Sequence, residues 1–118
     1  MPETGIGLCP DVGTMHYFSR LDGGLGCYIA LTGARLKADD LIYAGIATHY
    51  VSSCRLKELQ NALVTATDVC SDVIPATAND CVGKVLDTFN EEIDLSSSQL
   101  LNNRNDIDAA FTIKPDKY

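Results

Sequence analysis

Apolar residues recur every three or four positions along most of the chain, the spacing of a helix with one buried face. This spacing predicts six helices, over residues 12–20, 25–32, 38–44, 52–66, 77–89 and 96–111. Residues 1–8 are interpreted as the end of a strand followed by a loop. Residues 46–51 are rich in β-branched and aromatic side chains and predict a short strand. The chain is therefore expected to be mostly α-helical, with one or two short strands.

Glycine, proline and hydroxyl residues define the predicted helix ends. Gly33 is expected to end the second helix in a left-handed conformation. Residues 67–76 are interpreted as a linker, because Pro75 cannot continue a helix. Thr77, followed by Asp80, resembles a capping box for the fifth helix. The serines at 96–98 can cap the last one, in which Leu100, Ile107 and Phe111 share a face.

Two carboxylates, Glu3 and Asp11, stand in an apolar opening segment rich in glycine and proline. Asp11 precedes the first predicted helix and is expected to cap it. Turn-forming residues such as Gly7 and Pro10 let the segment fold back, so that the two carboxylates can approach each other. Two carboxyls in unlike surroundings suit acid/base or nucleophilic chemistry. The alternative is that Asp11 only caps a helix and Glu3 lies at the surface.

The formal net charge of −7 is unevenly distributed. Residues 1–57 contain five acids and five bases, whereas residues 58–118 contain eleven acids and four bases. This acidic excess argues against nucleic acid or an anionic membrane as a partner. No apolar run approaches the ~20 residues of a membrane-spanning helix.

The five cysteines, at positions 9, 27, 54, 70 and 81, are widely spaced and form no Cys-x-x-Cys pair. This pattern predicts reduced thiols in an intracellular, reducing compartment, with no metal site. Cys9 lies between the two carboxylates and is expected to be a buried, inert thiol. No basic residue precedes Arg20, so neither a signal peptide nor a transit peptide is expected at the start.

Several short motifs occur together in the first 51 residues. They include Met1-Pro-Glu-Thr, Pro10-Asp-Val-Gly, Ala30-Leu-Thr-Gly, Arg35-Leu-Lys and Ala44-Gly-Ile-Ala-Thr-His. As a set they resemble the 3-hydroxyisobutyryl-CoA hydrolase branch of the crotonase (enoyl-CoA hydratase/isomerase) superfamily. The resemblance implies part of an α/β crotonase-like (ββα spiral) fold. Residues 1–51 would form the C-terminal part of the crotonase core, and residues 52–118 a C-terminal helical region.

The resemblance also implies a site for an acyl-CoA thioester, whose carbonyl is held by two backbone amides. Glu3 matches the family's glutamate and would attack the thioester or activate water. Asp11 matches the family's aspartate and would bind the substrate's 3-hydroxyl group and assist proton transfer. Further substrate contacts would come from Gly7, Pro10 and His16. Arg35 and Lys37, or alternatively Arg55 and Lys57, could meet the phosphates of coenzyme A, which enters as part of the substrate; no other cofactor and no metal are expected.

The activity implied is hydrolysis of 3-hydroxyisobutyryl-CoA to 3-hydroxyisobutyrate and CoA in valine degradation, in the mitochondrial matrix. The two carbonyl-binding amides of the family precede the Met1-Pro-Glu-Thr motif, so a missing N-terminal half, or a homo-oligomer, is an expected partner. Thr14 stands where the family usually has a further glycine. Some dienoyl-CoA isomerases have a similar Asp-Val-Gly-Thr turn, so isomerisation or enoyl-CoA hydration is an alternative. A third interpretation is a non-catalytic helical fragment that associates through exposed apolar faces.

Overall fold

The computed structural model describes residues 3–70 and 75–112. Seven α-helices and three 3-10 turns occur in these ranges. The helices are α1 (Thr14–Phe18), α2 (Leu25–Thr32), α3 (Ala38–Tyr43), α4 (Leu56–Cys70), α5 (Pro75–Phe89), α6 (Gln99–Asn102) and α7 (Arg104–Phe111). The 3-10 turns are Glu3–Ile6, Ser53–Arg55 and Leu95–Ser97.

The chain divides into two compact units. The terminal unit combines Met1–Ala47 with Asp94–Tyr118, and the central unit is Thr48–Ile93. Both candidate carboxylates belong to the terminal unit. The predicted division at residues 51 and 52 concerns regions of a family fold rather than contacts within this chain, and it stays a prediction.

The core of the terminal unit is built around α2. Leu25 and Ile29 of this helix are buried with Leu100 of α6 and Ile107 of α7. The ring of Phe111 meets the ring of Tyr28 edge-to-face, with 5.4 Å between their centroids. The predicted shared face of Leu100, Ile107 and Phe111 is thus confirmed, since all three belong to this core or pack against it.

A buried carboxylate joins the beginning of α3 to the beginning of α6. Asp40 is only 1% exposed. Its Oδ1 atom accepts hydrogen bonds from the Ser98 hydroxyl (2.8 Å) and the Leu100 amide (3.1 Å), and its Oδ2 atom accepts one from the Lys37 amide (3.1 Å). Burial raises the pKa of this carboxyl, but donation by the Leu100 and Lys37 amides and by Ser98 outweighs it, so the pKa lies below its usual value.

A second polar cluster joins the loop before α2 to α7. Arg104 donates through Nε to Asp108 (2.7 Å) and also binds Asp22. Asp108 in turn accepts the Gly24 amide at 2.8 Å, which places a carboxylate at the N-terminus of α2, where the helix dipole favours negative charge. The Gly24 amide and the Arg104 guanidinium hold the pKa of Asp108 below its ordinary value.

The central unit contains the helices α4 and α5, which pack against each other. The chain leading into α4 is fixed to the end of α5 by several polar contacts. The Tyr50 amide donates to Asn90 Oδ1 at 2.9 Å, and His49 Nε2 lies 3.0 Å from Asp87 Oδ1. Arg55 donates to Glu91 (2.8 Å), with its guanidinium 4.8 Å from the centre of the Phe89 ring. His49 is thus a hydrogen-bonded residue.

The predicted strands are wrong, since none is present in residues 3–70 and 75–112. The amides of Ile46 and Ala47 both donate to the Leu41 carbonyl, which closes the end of α3. The Tyr50 amide donates to a side chain, and the Tyr50 carbonyl accepts a single backbone amide, that of Glu91 at 2.9 Å. A β-strand requires a ladder of backbone partners, and this segment makes its bonds elsewhere. Glu3–Ile6 forms a 3-10 turn where the end of a strand was predicted.

Helix ends follow the prediction where local capping decides them. The bounds of α2 are those predicted, and Gly33 ends it with φ 63°. Ser98 caps α6 by accepting the Leu101 amide, as predicted. The predicted first helix is shortened to five residues, and Asn103 divides the last one into α6 and α7.

The predicted linker is wrong at both ends. Helix α4 continues to Cys70, and Pro75 begins α5, because proline fits the first turn of a helix, where its missing N–H has no partner to lose. Residues 71–74 and the side chains of the predicted capping box, Thr77 and Asp80, lie outside the described part. None of the described helices has both the length and the apolar character needed to cross a membrane.

The first prediction concerns the Asp40 carboxylate. Because folding lowers the pKa of Asp40, its stabilising effect is complete above its unfolded pKa of about 4 and is lost as pH falls through the lowered folded value. At pH 7, Asp40→Asn should lower the free energy of unfolding by about 1–3 kcal/mol, because an amide cannot accept all three bonds. It should also flatten the dependence of stability on pH below pH 4. Denaturant unfolding from pH 7 to pH 2 measures both effects.

Asp106→Asn is the matched control. Asp106 is exposed in the first turn of α7, so its replacement should cost only a few tenths of a kcal/mol from the helix dipole. Equal losses in the two variants, or an unchanged pH dependence in Asp40→Asn, would contradict the role assigned to Asp40.

The second prediction concerns the crossing of α1 and α2. A Cβ atom added at Gly26 would overlap the Phe18 carbonyl oxygen, so the two helices meet at backbone distance. Gly26→Ala should therefore destabilise the protein by about 3 kcal/mol. Gly83→Ala in α5 is the control: it meets no atom within 4 Å and should stabilise slightly, by up to about 1 kcal/mol. Thermal unfolding that shows equal effects would refute the close approach.

Candidate functional site

Glu3 begins the 3-10 turn Glu3–Ile6, which lies against α2. The backbone of the turn is closed by the Leu8 amide, which donates to the Glu3 carbonyl at 2.9 Å. Gly7 follows with φ 76°, a conformation that suits glycine. In the described part of the chain, the Oε2 atom of Glu3 is buried and has no hydrogen-bond partner. A buried carboxylate oxygen without a donor is costly, and such groups concentrate at functional sites.

Asp11 lies in an exposed turn before α1. Its Oδ1 atom accepts the amide of the next residue, Val12, at 2.7 Å. Its carbonyl accepts two donors of Thr14, the amide at 3.1 Å and the hydroxyl at 2.7 Å. No described residue donates to Oδ2. One oxygen of the carboxylate is therefore used within the turn, and the other is free to meet a ligand.

The prediction that Asp11 caps α1 is wrong. The N-cap position belongs to Gly13, and no side chain caps the helix. The reason is a pair of left-handed residues, Val12 (φ 51°) and Gly13 (φ 83°), which stand between Asp11 and the helix. A β-branched residue is rarely found in this conformation, so the backbone at Val12 is strained.

The other predicted site residues belong to the same unit but do not converge on one contact. Gly7 is exposed and Pro10 is half-buried. His16 is exposed on α1, and Arg35 and Lys37 are exposed between α2 and α3. Within the described residues, no hydrogen bond joins Glu3 to Asp11. Their shared role in a site stays a prediction.

An apolar cavity of about 430 Å³ lies between α1, α2 and the end of α7. Its lining includes Met15, Phe18, Gly26, Leu31 and Phe111, but neither Glu3 nor Asp11. No local sequence signal predicts this cavity, because its lining residues are distant in the chain: Met15 and Thr112 are 97 positions apart. The same cavity is lined by the half-buried thiol Cys27.

Cys9 is exposed, which corrects the expectation that it is buried. It lies in the coil between the first 3-10 turn and α1, where no described segment covers it. Among the described side chains, those of residues 3–66 and 81–112, no three His, Cys, Asp or Glu form a group that could hold a metal ion.

Comparison with known proteins identifies the class. Residues 1–116 match the family described as enoyl-CoA hydratase/isomerase, and the chain belongs to this family. Within it, the chain is similar to the proteins named 3-hydroxyisobutyryl-CoA hydrolase, mitochondrial. It is 47% identical over 92 residues to that of Xenopus laevis, covering 78% of this chain and 22% of the relative. It is 39% identical over 115 residues to the protein of that name from Homo sapiens. This match covers 95% of this chain and 28% of the relative.

The relative from Danio rerio is 41% identical over 99 residues, which cover 84% of this chain and 24% of that protein. The resemblance drawn from the short motifs is thus confirmed. The chain spans about a quarter of the length of the relatives it matches.

Proposed function

We propose that the protein carrying this chain hydrolyses 3-hydroxyisobutyryl-CoA to 3-hydroxyisobutyrate and CoA. The observation that carries the proposal is the buried Oε2 atom of Glu3, to which no described residue donates, at the position that matches the family's glutamate. Similarity to relatives named as hydrolases of this thioester supports it. The mitochondrial names of these relatives also support a location in the mitochondrial matrix.

The surroundings of Glu3 suit a base or a nucleophile. No described residue donates a hydrogen bond to its buried oxygen, so the lone pairs of this oxygen remain available for water or for the thioester carbon. In the overall reaction, water adds to the acyl carbon, the carbon–sulfur bond breaks, and the CoA sulfur takes up the proton. Asp11 Oδ2 would accept a hydrogen bond from the substrate's 3-hydroxyl group, since Oδ1 already accepts one from the Val12 amide.

Other parts of the site are proposed from the resemblance. Gly7, Pro10 and His16 would contact the acyl group. Arg35 and Lys37 would meet the phosphates of CoA; both are exposed, and no described carboxylate pairs with them. The two amides that hold the carbonyl would come from the remainder of a full-length crotonase (ββα spiral) fold, to which this chain contributes helices. Their contribution is large, because one lost oxyanion donor costs about 2.7–4 kcal/mol.

The third prediction tests Glu3 in the full-length protein. Glu3→Gln should lower kcat for CoA release from 3-hydroxyisobutyryl-CoA by about 100- to 10,000-fold, because the amide can neither attack nor accept a proton. A free-thiol assay measures the rate. Glu92→Gln, an exposed residue of the central unit, should leave it unchanged.

Undiminished turnover in Glu3→Gln would reject the role of Glu3. The proposed function itself would be rejected if the unaltered full-length protein released no CoA from 3-hydroxyisobutyryl-CoA. The same assay run with enoyl-CoA and dienoyl-CoA substrates separates hydrolysis from the alternative reactions of the family. Hydration or double-bond migration without release of CoA would favour a hydratase or isomerase instead. The Asp11-Val-Gly-Thr14 turn is the feature that supports this alternative.

A second candidate is association of the isolated chain through an exposed apolar surface. Large apolar side chains are exposed at the N-terminal end of the terminal unit: Ile6 (73%), Leu8, Val12 (89%), Met15 and Leu31 (67%). Met15 and Leu31 also line the cavity. Exposed apolar groups of this number drive association. In the full-length protein, the same surface would pack against the remainder of the fold.

The fourth prediction is that the 118-residue chain alone is oligomeric. Replacing Ile6 and Leu31 with Gln should shift its mass by light scattering towards the monomer, because it removes two exposed apolar groups. Leu56→Gln, which alters an exposed leucine of the central unit, is the control and should leave the mass unchanged. A compact monomer at all concentrations tested would contradict the prediction.

A further inference from the structure

Thr14 restrains the peptide group between Asp11 and Val12. Its hydroxyl donates to the Asp11 carbonyl at 2.7 Å, and its amide donates to the same oxygen at 3.1 Å. That carbonyl and the Val12 amide belong to one planar peptide group. The Val12 amide in turn donates to Asp11 Oδ1 at 2.7 Å. A continuous chain of bonds therefore runs from the Thr14 hydroxyl to the Asp11 carboxylate.

The turn needs such a restraint, because Val12 has φ 51°. The Val12 side chain is 89% exposed, so its burial cannot offset the strain of this conformation. The bonds made by Thr14 and by the Asp11 carboxylate are the local contacts that oppose relaxation of the backbone. If the peptide group rotated, Oδ1 would lose its donor and the carboxylate would turn.

We infer that Thr14 is a positioning residue, which sets the direction of Asp11 Oδ2 by fixing the Asp11–Val12 peptide group. This inference rests on the proposed function, because it assigns Asp11 a contact with the substrate. Thr14 does not itself touch the substrate. Its hydroxyl acts through the backbone, and a glycine at this position would leave the peptide group with one donor instead of two.

The fifth prediction tests this inference in the full-length protein. Thr14→Val removes the hydroxyl at nearly constant shape and should lower kcat by about 10- to 100-fold, the cost of a misplaced group. Thr14→Ser keeps the donor and should restore most of the rate. If Thr14 acts through Asp11, the double variant Asp11→Asn/Thr14→Val should be no slower than Asp11→Asn alone.

Thr88→Val is the matched control. The Thr88 hydroxyl also donates to a backbone carbonyl, that of Lys84 at 2.8 Å, but in the central unit. The Thr88→Val variant should leave kcat unchanged. Thermal unfolding of every variant accompanies the kinetics.

Three results would overturn the inference. They are an unchanged kcat in Thr14→Val, an effect that adds fully to that of Asp11→Asn, and a loss of folding that Thr14→Ser does not repair. The proposed function fails separately, if the unaltered full-length protein releases no CoA from 3-hydroxyisobutyryl-CoA. Loss of activity in Glu3→Gln and Asp11→Asn with a fully active Thr14→Val would refute only the role of Thr14.

Discussion

The terminal unit depends on the burial of one carboxylate. Asp40 accepts bonds from Ser98 and from the Leu100 amide, so it fixes the start of α6 to the start of α3 across 58 sequence positions. Leu100 is thereby held in the core beside α2. A buried charge is tolerated only when it is hydrogen-bonded, and here described donors reach both oxygens of Asp40. Asp108, which accepts the Gly24 amide, and Arg104, which binds Asp22, fix α7 to the loop before α2.

The two candidate carboxylates differ sharply from Asp40. Asp40 is buried with its oxygens bound, whereas Glu3 keeps a buried oxygen without a described donor. Asp11 uses one oxygen within its own strained turn. Unsatisfied and strained groups reduce stability, so they persist where function requires them. This contrast supports assigning structure to Asp40 and chemistry to Glu3 and Asp11. The exposed apolar side chains of Ile6 and Leu31 lie in this same unit, and their packing against other protein is part of the proposal.

Family membership and the helical content were accessible from the sequence, but the site was accessible only in part. The short motifs around Glu3 and Asp11 carried the resemblance that the family match confirms. Sequence reasoning placed Asp11 at a helix cap, yet the left-handed Val12 and Gly13 intervene. A non-glycine residue with positive φ has no simple sequence signature, because tertiary context and local bonds must impose it. The positions of the two carboxylates relative to a substrate stay a proposal.

The sequence alone determined what short-range physics controls. Helix α2 and its end at Gly33 follow from apolar spacing and from glycine's tolerance of positive φ, and the Ser98 cap follows from a hydroxyl within reach of free amides. Only the tertiary structure decided that Asp40 is buried, that Arg104 binds Asp22, and that the Tyr50 amide binds a side chain rather than a strand. The partners Ser98, Asp22 and Asn90 are 58, 82 and 40 positions away. Local preference cannot specify such partners, because the free energy of burial and pairing arises only once distant segments meet.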